Sequence, residues 1–175
     1  MHINPYGRDP VRMMVGLANN PPNDLAELAG HCRAAGVSLD LTIGDDDLAA
    51  TLALIDRWCE IVDADDEAER ASLLNRLLAE ASTYPRMRNH GDEGWHLHYR
   101  DDDVPLADVI RALVSVGTAL HLVGRGMHTI GRCALAECVT IYADTSRAGR
   151  QRYGSPRCSN RDAVRRHRAR HAAAG

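Results

Sequence analysis

Three of the five cysteines in this chain of 175 residues, Cys133, Cys138 and Cys158, fall in a stretch that cannot build a core of its own. Between residues 131 and 160 the bulky apolar side chains are chiefly Leu135, Val139, Ile141, Tyr142 and Tyr153. Burying so few groups does not offset the entropy of ordering the segment. Such a segment folds by leaning on a neighbour or by binding a metal, and clustered thiols are the soft ligands that a tetrahedral ion such as zinc takes. Cys133 and Cys138 can form a knuckle, and Val139-Thr140-Ile141-Tyr142-Ala143 has strand propensity. Ser155-Pro156 can cap a helix whose first turn brings Cys158 back against the knuckle.

The other two cysteines, Cys32 and Cys59, sit among helix-like apolar residues, where a thiol behaves as a small hydrophobe. An odd number of cysteines arranged this way argues against a disulfide framework. The first residues, Met1-His2-Ile3-Asn4-Pro5, lack a basic region followed by an apolar run, so no secretory signal is expected. The longest apolar candidate, residues 112–124, contains His121 and is too short to span a membrane. A cytoplasmic location without membrane partners is the expectation.

Every one of the 21 basic residues is arginine, a bias in keeping with a GC-rich genome. The net charge of −3 conceals an asymmetry. Residues 1–124 hold 10 Arg against 21 Asp and Glu, and residues 125–175 hold 11 against 3, so the two parts carry −11 and +8. The tail can approach a polyanion that the body repels, because phosphate contact is driven by local basic charge and counterion release. The alternative is that the tail docks on the acidic body or on a neighbouring subunit.

Periodicity makes the first part mainly helical. Asp9-Pro10 reads as the start of a helix running to about Asn19, stopped by Pro21-Pro22, and Asn23 as the cap of a second ending at Gly36. Asp45, Asp46 and Asp47 favour a third start, followed by a stripe of Leu48, Leu52, Ile55, Cys59 and Val62. After an acidic linker at residues 63–67, Leu74, Leu77, Leu78 and Ala81 mark a fourth. Trp95, Leu97 and Tyr99 then alternate with His96, His98 and Arg100, the period of a half-buried strand, with His90-Gly91-Asp92-Glu93-Gly94 as its hairpin loop. Pro105 opens a long helix to about Gly124, its buried stripe being Leu106, Val109, Ile110, Leu113, Val116 and Leu120.

Quoted from Cys133, the chain reads CALAECVTIYADTSRAGRQRYGSPRCSNRDAVRRHRAR. With its Cys-x4-Cys pair, the Asp144-Thr145-Ser146-Arg147 turn and Cys158-Ser159-Asn160-Arg161, it resembles the CGNR-type zinc finger. Proteins of that kind usually carry an N-terminal helical domain of the ABATE type and are regarded as stress-induced transcription regulators of bacterial type. The upstream residues, including Trp95-His96-Leu97-His98-Tyr99, are compatible with such a domain. The specific motifs lie within residues 132–170. Two positions depart from the family pattern: Gly154 stands where a further cysteine belongs, and Ser159 where the glycine of the name belongs.

The resemblance implies a mainly α fold with a small β-hairpin, a helical ABATE-like domain over residues 1–126 and a small treble-clef-like α+β zinc finger over residues 127–175. Structural zinc would be held by Cys133, Cys138 and Cys158, with the fourth ligand from water, a histidine or a carboxylate; His128, His96, His98 and His167 are the histidine candidates. The alternative is a metal-free finger packed on the helical part. The basic segment would bind DNA through Arg147, Arg150, Arg152, Arg157, Asn160, Arg161, Arg165 and Arg168, arginine forking onto phosphate or guanine and asparagine reading adenine. Equally, Asn160 and Arg161 can be internal braces, Arg161 pairing with Asp144.

Trp95, His96 and His98 are the candidate pocket for a small-molecule effector, and the N-terminal domain would sense a signal or form a homodimer. A non-enzymatic regulator is the reading that results. The rival is a protein-interaction or small-ligand module whose degenerate finger is structural. A hydrolase using His96 and His98 is a third possibility that no residue requires, and no glutamate beside the cysteines forms a general-base arrangement for a catalytic zinc.

Overall fold

A computed structural model describes residues 7–37, 42–89 and 94–172. Residues 90–93 of the loop expected at His90 to Gly94, the first six residues and the alanine-rich end at 173–175 lie outside the described residues. In chain order the elements are α1 (Arg8–Asn19), α2 (Leu25–Ala34), α3 (Asp45–Asp63), α4 (Glu67–Ala81), β1 (Arg86–Asn89), β2 (Trp95–His98), α5 (Leu106–Arg125), a 3-10 turn (Met127–Thr129), β3 (Ile130–Arg132), β4 (Ile141–Ala143) and α6 (Pro156–Ala172). The fold is therefore mostly helical, with two small antiparallel hairpins, β1–β2 and β3–β4.

The long helix α5 is the centre of the molecule, packed by α1, α3 and α4. By length and composition it could cross a membrane, but 67% of its most apolar window is buried within the protein. The expected stripe understates this burial. Leu106, Val109, Ile110 and Val116 are buried, but so are Ala112, Val114, Ser115, Gly117, Thr118, His121 and Leu122, while Leu113 and Leu120 are only partly covered. Small residues let neighbours come close. Gly7, at φ +61°, and Gly117 meet where α1 crosses α5: a Cβ on Gly117 would lie 2.5 Å from Pro10 Cβ. No side chain fits between those backbones.

Several helix boundaries and stripes differ from the sequence reading. α1 begins at Arg8 after Gly7, so Asp9 lies inside the first turn, where its charge favours the dipole. Asp24, not Asn23, caps α2 by accepting from Glu27 N at 2.8 Å; Asn23 instead donates to Glu27 Oε2. On α3 the buried face is Thr51, Leu54, Ile55, Trp58, Ile61 and Val62, with Leu48, Leu52 and Cys59 at its margin. The stripe is rotated because Trp58, fully buried, turns inward and donates Nε1–H to Thr118 Oγ1 at 3.0 Å. Asp47 joins two helix starts: its carboxylate accepts from Gly44 N at 3.0 Å and from Ala107 N at 2.9 Å.

The hairpin β3–β4 is part of this core, since Ile130 and Ile141 belong to the same buried cluster as Leu54, Trp58 and Ile110. It rests against α1 and α3. Asn19 at the end of α1 reads the backbone of β4 on both sides: its Nδ2 donates to Ile141 O at 2.8 Å and its Oδ1 accepts from Ile141 N at 2.8 Å. Arg132 forks onto Asp63 at 2.6 and 2.7 Å, and Arg70 on α4 reaches Ile61 O at 3.0 Å, Val62 O at 2.9 Å and Met127 O.

Candidate metal centre and basic face

The knuckle forms as the spacing predicts. Cys133 N donates to Thr140 O at 2.8 Å and Cys138 N to Leu135 O at 2.8 Å, which folds the six residues from Cys133 to Cys138 back on themselves. Ala134 N then donates to Arg152 O at 2.7 Å, drawing in the strand of chain that leads to α6. Ser155 caps α6, its hydroxyl accepting from Cys158 N at 3.2 Å, with Pro156 in the first helical position. Cys158 therefore sits in the first turn, facing the knuckle.

The three thiols come together. Sγ of Cys133, Cys138 and Cys158 all lie within 4.8 Å of one another, and Cys138 Sγ and Cys158 Sγ are 3.8 Å apart. Two thiolates about 2.3 Å from a tetrahedral zinc stand roughly 3.8 Å apart, the spacing of Cys138 and Cys158, with Cys133 close enough to complete a three-sulfur set. Cys133 is buried, and Cys138 and Cys158 are half-buried. The Thr140 side chain and its backbone pull the Cys138 thiol down to about 7, favouring the form that binds metal. For Cys158 the Ser155 hydroxyl pulls down, but burial and the neighbouring sulfurs outweigh it and the thiol is pushed up. Three sulfurs this close resist ionising together, a repulsion that a divalent cation removes.

None of the four candidate histidines reaches the cluster. Among the described residues no His, Asp or Glu joins the three cysteines. His128 packs its ring against Gly126, His96 and His98 pair with each other in β2, and His167 pairs with His171 on the exposed side of α6. Gly154 does stand at the expected place, since a Cβ built on it would lie 3.8 Å from Cys133 Cβ.

The arginines divide into two sets. Arg161 and Arg165 reach Glu137 of the knuckle at 3.1 and 3.6 Å, and Arg165 and Arg166 also reach Asp162 at 3.0 and 2.9 Å. Arg161 does not pair with Asp144. That carboxylate, buried in the Asp144-Thr145-Ser146-Arg147 turn, accepts instead from Ser146 N at 2.8 Å and Gln151 N at 2.7 Å. Arg147, Arg150, Arg152, Arg157, Arg168 and Arg170 are exposed and, among the described residues, form no ion pair. Asn160 is exposed as well. Among the described residues Arg132–Asp63 is the one ion pair between the basic tail and the acidic body, so α6 is not docked there by charge.

The hairpin β1–β2 inverts the expected facing. Met87 stands opposite Leu97 and Asn89 opposite Trp95, and Trp95 is 70%, Met87 66% and Leu97 46% exposed. His96 and His98 take the covered side, their Nε2 atoms 3.0 Å apart. Arg86 and Arg88 on the opposite strand pair with Asp101 and Asp102. Alternation located the strand, but tertiary packing chose which side is covered. The three candidate pocket residues consequently do not share a face, since Trp95 points to solvent and the histidines away from it.

Sequence reading missed Thr140, Glu137 and Asn19. Each is an ordinary residue in its own segment and gains its role only from a partner brought close by the fold.

Two family models match the chain. The CGNR zinc finger matches residues 129–171, and ABATE, described as "Putative stress-induced transcription regulator", matches residues 15–120. No curated protein matches.

Proposed function

The chain belongs to the ABATE family and carries a CGNR zinc finger, and from that premise we propose that it is a DNA-binding transcription regulator. The observation that carries the reading is the exposed row on and before α6: Arg147, Arg150, Arg152, Arg157 and Arg168, none in an ion pair among the described residues. Arg157 and Arg168 lie near one line of the helix, with Arg161 and Arg165 beside them, so one side of α6 can meet a phosphate backbone while Cys158 faces the knuckle. A zinc ion at the three thiols supplies the cross-link that fixes α6 on the knuckle. Cys133, Cys138 and Cys158 would hold it, and the Tyr153 hydroxyl, donating to Asp162 at 2.8 Å, braces the same helix without metal.

In this reading residues 127–175 form the DNA-contacting module and residues 1–126 the part that senses an effector or dimerises, in the cytoplasm of a bacterium. Both matched families are of regulator or zinc-finger type, which supports a non-enzymatic role. The second reading, a protein-interaction module, draws on the exposed Met87, Trp95 and Leu97 face.

Duplex DNA binding by the full chain, measured against salt, separates the two. The first predicts binding whose log–log salt slope falls by about 1 for each phosphate-contacting arginine removed, tested with Arg157→Ala and Arg168→Ala. Absence of binding at low salt by zinc-loaded protein would favour the interaction module.

A further inference from the structure

The place of the missing cysteine is filled. A Cβ on Gly154 would lie 2.7 Å from Thr140 Cγ2 and 2.9 Å from Thr140 Cβ, closer than carbon atoms approach. Gly154 is not among the glycines of positive φ, so its backbone does not require glycine; the Thr140 side chain does. The two residues form a matched pair, so that any side chain at position 154, cysteine included, must displace Thr140.

Among the described residues nothing else replaces that ligand. Among the described residues no histidine or carboxylate joins the thiols. Glu137, on the knuckle itself, is turned to Arg161 and Arg165. The polar atoms beside the sulfurs are two neutral hydroxyls, Thr140 Oγ1 at 3.3 Å from Cys138 Sγ and Ser155 Oγ at 3.3 Å from Cys158 Sγ, each in hydrogen-bond contact with sulfur. Hydroxyls so placed stabilise thiolate charge rather than compete with it. Burial is one-sided: Cys133 is enclosed, Cys138 and Cys158 are half-buried, and Val139 and Arg157 beside them are exposed.

Resting on the zinc reading above, we propose that this is an open three-thiolate metal site whose fourth ligand comes from solution: water, displaced by a small soft anionic donor such as a low-molecular-weight thiolate. Closed structural sites use four protein ligands, and three leave one vertex for an outside donor. Three thiolates on a divalent ion carry one net negative charge, and a thiolate adds a second. Cys158, in the first turn of α6, joins that centre to the start of the basic helix.

The test uses the full chain loaded with Co(II), its metal content fixed by elemental analysis, and titrated with 2-mercaptoethanol. The expected result is a saturable shift of the ligand-field bands and growth of sulfur-to-cobalt charge transfer, with cobalt retained. The double variant Gly154→Cys/Thr140→Ser removes the 2.7 Å methyl contact and keeps the hydroxyl, leaving only the 2.9 Å approach to the Cβ of residue 140 to be relieved by a small shift; its spectrum should start where the titrated wild type ends and not respond. A wild-type spectrum indifferent to thiol, or cobalt lost rather than shifted, overturns the open site while leaving metal binding intact. Failure of the wild type to hold one equivalent of cobalt or zinc overturns the metal reading together with it.

Discussion

Gly154 is a glycine because of Thr140, and that makes it a sensitive position. Even a methyl group there must displace a β-branched side chain that also serves Cys138. Gly154→Ala is expected to lower stability by about 1–3 kcal/mol, the usual cost of overpacking, and Gly154→Ala/Thr140→Ser to recover part of it, as read by urea unfolding. His121 supplies a second expectation. Burial, then the Arg125 charge, push its imidazole below the ordinary 6.5, against smaller upward effects of the Thr129 backbone and Asp144. The unfolded chain therefore takes up this proton before the folded one does, so stability is present above pH 6.5 and is lost as pH falls below it. His121→Leu should flatten that loss, measured as urea midpoint from pH 8 to 5. Making the comparison on a Cys133→Ser background keeps proton-driven metal release out of it.

At the scale of elements, the question is what each short piece leans on. β4 has three residues and one pairing partner, and Asn19 serves as its second edge by bonding both polar groups of Ile141. Asn19→Ala leaves that amide and carbonyl unpaired and should cost about 1–3 kcal/mol. The Ile141 amide should lose protection from hydrogen exchange well before the amides of α5 do. The helix α6 leans on little: Asp162 is its buried side chain, and besides Cys158 its links to the knuckle are the ion pairs of Glu137 with Arg161 and Arg165. Those pairs are exposed and worth at most about 1 kcal/mol, so Glu137 competes weakly with any phosphate for the same arginines. Glu137→Gln is expected to tighten duplex DNA binding by roughly two- to fivefold at low salt, a gain that fades as salt rises. Unchanged affinity would show that Arg161 and Arg165 do not meet DNA.

For the whole molecule, sequence reading reached whatever is set locally. The helices, the first hairpin, the knuckle and the Ser155-Pro156 cap follow from residue type and spacing, whereas the caps of α1 and α2 and the pairing of β3 with β4 do not. What it missed depends on contacts between distant segments: the inward turn of Trp58 toward Thr118, the exposed facing of Trp95 and Leu97, and the pairing of Arg161 with Glu137 rather than Asp144. The same distinction governs how the finger is stabilised. Its hairpin is held by the body, because Ile130 and Ile141 are buried in the common core, Asn19 bonds its backbone, Arg132 anchors it to Asp63 and Arg70 holds the turn before it at Met127 O. The knuckle and α6 have no such support, since beyond Leu135 they bury few bulky apolar side chains. Removing metal should therefore divide the finger rather than unfold the protein. Chelation, or Cys133→Ser, is expected to expose the amides following Cys133 and those of α6 to hydrogen exchange while β3, β4 and α5 keep their protection and the main thermal transition persists. Simultaneous loss of both parts would mean that the body depends on the metal centre, and unchanged exchange in α6 would mean that Tyr153–Asp162 and Glu137 hold the helix without it.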